Sequence, residues 1–589
     1  MRKGTAKNGY PRTLLADVLC LLMGCLGLNA YQLAGLADEN RGTVSHVLRT
    51  TQPCKEALLR GLCVALLPGR DAQPLINAFM GDCAAVLSIP QLLVQLEPQL
   101  AARRQAALKL GLDIGALCCK SGQPGLNFFP INLGLDIGAL CGGYSPEAID
   151  ADAATMEQLG RWPIACRWAG YAVAVARQTG DTCTELKAGL RQARLLLASS
   201  RFAECETALK SFFDHPVHQA GEALPRTART TDPHTLLRAS GEIYRSWLHY
   251  ELGQYPRACA GLAGATESLV ALTGQPPCAG TDGKAALALP VLSAVAGRSD
   301  MAGLLDLALH LRAKVLAEQA IYFEYCKAPP DPATAARALA QSIAVSAYLR
   351  RDGSLGHGLL WLARLMATLE VKGQPLPAPE VRAVVEAAKH PTTKAILAIL
   401  ADPKPRKILS LVGNGYFKFA TGSSLRRGYF KRAKGSILAL TASAPEDYQN
   451  AYYHLLDAAE ALSTPPLQGQ PDLRGLGPLY FEVYRLYQWA ADLKLYAGPG
   501  HPTSRLDWLV ASLAAHPTPF AIAALRNLAS QEQEESTDWP RAVADSCSRV
   551  LSLQEPFDKL RNAATALWAD EAQPRLERNL DLALRQAEA

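Results

Sequence analysis

Ser246-Trp247-Leu248-His249-Tyr250-Glu251-Leu252-Gly253-Gln254-Tyr255-Pro256-Arg257-Ala258-Cys259-Ala260-Gly261-Leu262-Ala263-Gly264-Ala265 is the stretch on which the fold turns. Ser246, Gly253, Tyr255, Ala258, Leu262 and Ala265 stand at spacings that recur twice elsewhere. Upstream, Ala193, Ser200, Phe202, Cys205, Leu209 and Phe212 repeat them; downstream, Ser346, Gly353, Leu355, Gly358, Leu362 and Leu365 do. Steps of three, four and seven keep side chains on one helical face. A small residue on each side of the turn lets two helix axes approach, and the larger residues four and seven positions on fill the gap to the next pair.

The constellation resembles the tetratricopeptide family of helix pairs, with a small residue on helix A, glycine at the turn and an aromatic opening helix B. The resemblance implies an all-α chain, an irregular α-solenoid of antiparallel pairs at 186–213, 239–265 and 334–367. It also implies that Ala258 packs against the helix carrying Ser246. Phe202 and Tyr255 are 53 residues apart and Tyr255 and Leu355 are 100 apart, not multiples of the family's period of about 34. Most of the family's helix-A tryptophan and proline positions are lost. His215 to Thr235 reads as an insertion, and no unit is placed between Thr266 and Pro332.

Outward from these units the chain divides into an N-terminal helical region 1–160, the repeat-like region 161–402, a basic segment 403–445 and a C-terminal helical region 446–589. At 589 residues it exceeds the size of one ordinary core. Apolar residues make up 49% and charged residues 19%, a balance that favours extensive helix-on-helix burial. Fifteen cysteines, an odd number without a Cys-x-x-Cys pair, point to reduced thiols in an intracellular protein, cytoplasmic or nuclear. The alternative is export or membrane anchoring. Arg2, Lys3, Lys7 and Arg12 precede an uncharged run from Val18 to Ala37, and Leu22-Met23-Gly24-Cys25 has the look of a lipoprotein cleavage box. Any membrane contact would run through residues 14–37.

Leu-Gly-Leu-Asp-Ile-Gly-Ala-Leu-Cys occurs at Leu110 to Cys118 and again at Leu133 to Cys141, a local duplication too short for a repeat array. Helix starts are written at Ser145-Pro146-Glu147, Asp331-Pro332, Pro379-Glu380 and the Ser536 to Pro540 cluster. Glu446 to Leu462, Leu479 to Tyr496 and Pro574 to Ala589 read as helices.

From Pro403 to Pro445 there are nine Lys or Arg and no Asp or Glu, although the whole chain carries only +6. Gly-Tyr-Phe-Lys-x-Ala-x-Gly-Ser occurs there twice, at Gly415 to Ser423 and Gly428 to Ser436. A small hairpin or loop insertion is expected. Lys418, Arg426, Arg427, Lys431, Arg432 and Lys434 would supply charge to nucleic acid or an acidic surface, and Tyr416, Phe417, Tyr429 and Phe430 could stack on bases. The bland reading is a turn whose rings are buried and whose charges are solvated.

No catalytic constellation stands out. Gly280 to Ala285 lacks the first glycine and the hydroxyl of a phosphate loop. Cys205, His215 and His218 fall short of a zinc set. No cofactor, metal or catalytic residue is expected. The sequence therefore favours a non-catalytic scaffold or adaptor with at least one protein partner, with anion binding through 403–445 as the alternative.

Overall fold

The computed structural model describes residues 30–48, 56–66, 146–158, 162–218, 233–273, 289–326, 329–376, 381–382, 404–413, 419, 424–463, 472–490, 504–535, 539–552, 557–568 and 572–588. Among the described residues all regular structure is helical and no strand occurs. Residues 1–195 form one compact unit and residues 196–589 a second.

The first unit holds α1 (Ala30–Leu36), α2 (Arg41–Leu48), α3 (Glu56–Leu66), α4 (Pro146–Gln158), α5 (Trp162–Thr179) and most of α6 (Thr182–Ala198). Arg191 of α6 fastens α4, donating to Asp150 at 2.7 and 3.2 Å and to Glu157 at 3.2 Å. The apolar run 18–37 is described only from Ala30. Among the described residues no helix is long and apolar enough to cross a membrane. Both copies of the duplicated nonapeptide and the Pro379-Glu380 start lie outside the described residues.

The second unit begins with α7 (Phe202–Phe213), α8 (Pro233–Glu251), α9 (Tyr255–Ala271), α10 (Leu289–Ala296) and α11 (Ser299–Ile321), which runs into a 3-10 turn, Phe323–Tyr325. It continues with α12 (Pro332–Tyr348), α13 (Asp352–Val371), α14 (Pro405–Gly413), α15 (Ser424–Leu440), α16 (Pro445–Ser463) and α17 (Leu473–Trp489). The last five are α18 (Arg505–Ala515), α19 (Pro519–Glu535), α20 (Trp539–Leu551), α21 (Asp558–Trp568) and α22 (Ala572–Glu588). Asp331 caps α12, accepting from the Ala333 amide at 3.2 Å.

Five connections use one device. Asp38, Gly180, Ser200, Gly253 and Arg350 have φ between 53° and 74°. After each, the next amide reaches back five residues: Glu39 to the Ala34 carbonyl, Asp181 to Ala176, Arg201 to Leu196, Gln254 to His249 and Arg351 to Ser346, at 2.7 to 2.9 Å. This is the Schellman closure, which satisfies the helix-end carbonyls and turns the chain back. It joins α6 to α7, α8 to α9 and α12 to α13, the three places where a turn was read. In the first two, the turn residues are Ser200 and Gly253, as expected. In the third the turn residue is Arg350, not Gly353, which lies inside α13; the register there is three residues earlier than the sequence suggested. Ala258 is fully buried in a cluster with Tyr250, on the helix carrying Ser246, and with Val315. Three residues further on, Gly261 faces the Ser246 hydroxyl, which leaves no room for a side chain at that position.

The gap left between Thr266 and Pro332 is filled by α11, buried along most of its length on all sides. Such a helix has no solvent-facing side, so its sequence shows no apolar stripe set against an exposed polar one. Contacts also join distant parts of the chain: Ser200 and Glu251 meet His516, and Tyr322 meets Glu482, across 316, 265 and 160 residues of sequence. In an open solenoid a repeat touches only its neighbours.

Candidate functional site

Among the described residues the basic segment holds no strand and is mostly helical, in α14, Phe419 and α15, with a short non-helical link at 441–444. Tyr416, Phe417 and Lys418 lie outside the described residues. On α15 the helical period sorts the second copy of the motif. Gly428, Arg432, Gly435, Ser436 and Ala439 share one face and are buried, while Arg427 is exposed and Lys431 and Lys434 half-buried. Gly428 and Gly435 admit the Leu462 and Leu455 side chains of α16. Tyr429 and Phe430 are half-buried: Tyr429 donates to Asp472 and sets its ring edge-on to His357 at 4.3 Å, and Phe430 lies against Gly413. Neither ring forms an open stacking platform. Lys431 pairs with Asp457 at 3.0 Å, Arg426 lies 5.8 Å from the buried Phe419 ring, and Arg432 points into the core.

What Arg432 reaches was not visible in the sequence. Along α11 and just past its end, every fourth residue is polar: Asp306, His310, Lys314, Glu318 and Tyr322. Four residues advance a helix by about 40° beyond a full turn, so the seam winds and meets different neighbours along its length. Asp306 accepts from Ser346 of α12 at 2.5 Å and Ser354 of α13 at 2.6 Å, though burial, the larger effect, holds its carboxyl above the ordinary value. The His310 ring lies 6.0 Å from His357 of α13. Lys314 covers the Tyr250 ring at 5.0 Å and stands 3.9 Å from Glu318, which accepts the Tyr250 hydroxyl.

At the end of the seam Tyr322 donates to Glu482 and accepts from Arg364 at 2.8 Å and Arg432 at 3.2 Å. Arg364 also donates to Glu482, and its Nε meets the Ser436 hydroxyl at 3.3 Å. Arg485 approaches the other Glu482 oxygen at 3.5 Å and Arg432 stands 3.9 Å from the first. Burial alone would raise the Glu482 carboxyl, but Arg364, Arg485 and Arg432 outweigh it and hold it below the ordinary value. Rings cover the guanidinium faces: Trp361 lies 4.5 Å from Arg364 and 5.8 Å from Arg432, and Trp489 lies 4.5 Å from Arg485.

A second cluster gathers helix ends. Glu251, last in α8, accepts from Trp247 at 2.8 Å, from Arg474 and from His516 at 2.9 Å; the other His516 nitrogen is 3.0 Å from Ser200 Oγ. The order serine, histidine, carboxylate is that of a hydrolytic relay. Here, however, the hydroxyl meets Nδ1, Glu251 is shared with two further donors, and the Ser200 and Arg201 amides are spent on the turn.

Of the weak zinc set, His218 is buried against Phe212 with ring centroids 4.6 Å apart, and His215 accepts the Val217 amide at 3.3 Å. Among the described residues no three His, Cys, Asp or Glu are grouped to hold a metal ion. No protein-family model, curated protein or solved structure matches this chain.

Proposed function

We propose that the chain is a non-catalytic helical-repeat scaffold, a degenerate tetratricopeptide-like protein that holds at least one protein partner in a larger assembly. The observation that carries this reading is the recurrence of one Schellman turn at five helix–helix connections, with small residues where paired helices come closest. The long-range clamps at His516 and Glu482 fit a scaffold whose helix pairs are tied into a closed body. Most of the polar side chains in both clusters bond one another inside the protein, which suits a rigid platform. Val371 and Tyr453 leave large apolar side chains 57% and 50% exposed on the second unit.

The alternative, nucleic-acid or anionic-surface binding through 403–445, draws less support, because Arg432 is spent in the core and Lys431 on Asp457. Purification of the tagged full chain from its native cell tests the scaffold reading. A stoichiometric protein partner retained through ion exchange and gel filtration is expected; recovery as a lone monomer would overturn it.

A further inference from the structure

Three guanidiniums, those of Arg364, Arg432 and Arg485, are each no more than 6% exposed and converge on one carboxylate, Glu482. The nearest other acid on the seam, Glu318, is accompanied by its own cation, Lys314. The core around Tyr322 therefore carries an excess of two positive charges, and uncompensated buried charge is among the costliest things a fold can hold. Burial lowers the His357 imidazole to about 3, with Arg426 and Arg432 among the cations adding to it.

A second, independent observation concerns donors. The Nε atoms of Arg432 and Arg485 are both buried with no hydrogen-bond partner. Buried N–H groups almost always have one. Trp361 and Trp489 lie against guanidinium faces, not against these N–H edges. A guanidinium edge is shaped for an oxyanion.

We propose that Arg364, Arg432 and Arg485 form a buried oxyanion site, which takes inorganic phosphate or a small phosphate monoester as a structural ligand. A phosphate dianion would cancel the charge excess and accept from the two orphaned Nε–H groups. Glu482 holds the arginines apart and is itself the competitor of the ligand. This site stands independently of the scaffold reading.

The test uses the full chain, dialysed into phosphate-free buffer with chloride as the supporting salt. Equilibrium dialysis against radiolabelled inorganic phosphate should show saturable binding of one phosphate per chain, and the thermal midpoint should rise with phosphate concentration. Glycerol phosphate in the same assay separates the two sources: competition shows that the site admits a monoester, and its absence restricts the site to free phosphate. Arg432→Met with Arg485→Met should weaken binding by about tenfold or more, the loss expected for charge-assisted bonds. Glu482→Gln should do the reverse, tightening phosphate severalfold and recovering in phosphate the stability it loses without it. A self-sufficient ion cluster predicts loss of stability that phosphate does not restore. No saturable phosphate on the parent chain overturns the proposal, as does undiminished binding by a double variant that keeps its helical circular dichroism. Should the double variant fail to fold, the parent stoichiometry and the direction of the Glu482→Gln effect decide.

Discussion

His516 Nε2 lies 2.9 Å from Glu251 Oε2 at a point where the ends of four helices meet. Glu251 ends α8, Arg474 opens α17, His516 follows α18, and Ser200 sits in the turn before α7. Burial would raise the Glu251 carboxyl, but Arg474 and His516 outweigh it and hold it well below the ordinary value. A carboxylate lowered on folding stabilises above its unfolded pKa, near 4.5, and that stability is lost as pH falls below it. Glu251→Ala at neutral pH strands Arg474, His516 and Trp247 together and should cost about 3–5 kcal/mol. Ser200→Ala removes one neutral bond and should cost about 1 kcal/mol. Urea unfolding followed by circular dichroism gives both values; equal costs would show that the carboxylate is not the hub.

A second pH effect lies in a different window. Burial lowers His310 to about 4, with Lys314 adding, and His357 to about 3, with His310, Lys314, Arg426 and Arg432 adding. Both stay neutral in the fold while the unfolded chain, with an ordinary value near 6.5, takes up protons. The unfolded state then binds more protons, so stability falls as pH drops from 6.5 toward 4. The slope should be about 1.4 kcal/mol per pH unit for each histidine. His357→Phe, set between Phe419 and Tyr429, should remove about 1.4 kcal/mol per pH unit from the slope between pH 6 and 5, one proton's share. An unchanged slope would mean that His357 is not buried in its neutral form.

The turn before α13 offers a test of register. Arg350 has φ 54° and is exposed, so Arg350→Gly relieves a left-handed strain and should stabilise by about 1 kcal/mol. Gly353 lies inside α13, where an added Cβ would meet only Arg426 Nη2, at 3.6 Å. Gly353→Ala should therefore also stabilise, by about 0.5–1 kcal/mol. Were Gly353 the turn residue, the same change would destabilise. Thermal midpoints of the two variants distinguish the registers.

The pairs α8–α9 and α12–α13 were legible because turns and small residues are local signals. Gly253 and Ser200 stand where the chain bends, and Asp331-Pro332 opens a helix as a cap should. The register slip at Arg350 has a physical cause: Gly353 imitates the expected turn residue, while the Schellman hydrogen bonds can force an arginine into the left-handed region. The basic segment misled for a different reason. A count of charges does not say which face each occupies, and only the helical geometry of α15 sends Arg432 inward while Arg427 stays out. The partners of Arg432 lie just past α11, in α13 and in α17, and carry no mark in the sequence near residue 432. The seam from Asp306 to Tyr322 has a four-residue spacing that could have been noticed, but inside so apolar a helix its partners are set by tertiary packing alone.

The close approaches themselves can be weighed by substitution. A Cβ on Gly358 would lie 2.9 Å from Ile343 Cγ1, in the partner helix of the same pair. Alanine gains about 1 kcal/mol over glycine in a helix interior, but the overlap should reverse the sign and leave Gly358→Ala destabilised by about 1–3 kcal/mol. Ile343→Ala alone should cost about 2–5 kcal/mol through the cavity it opens. Combined, the two should cost less than their sum by about 1–2 kcal/mol, because the new methyl group enters the space vacated by isoleucine. Gly264 in α9 has nothing within 4 Å of an added Cβ, and Gly264→Ala should stabilise by about 0.5–1 kcal/mol. Gly261, three residues earlier on the same helix, faces the Ser246 hydroxyl, and Gly261→Ala should destabilise. Opposite signs at Gly261 and Gly264, read from urea midpoints, would locate the pair interface on one face of α9; matching signs would remove small-residue packing as the reason these helices pair.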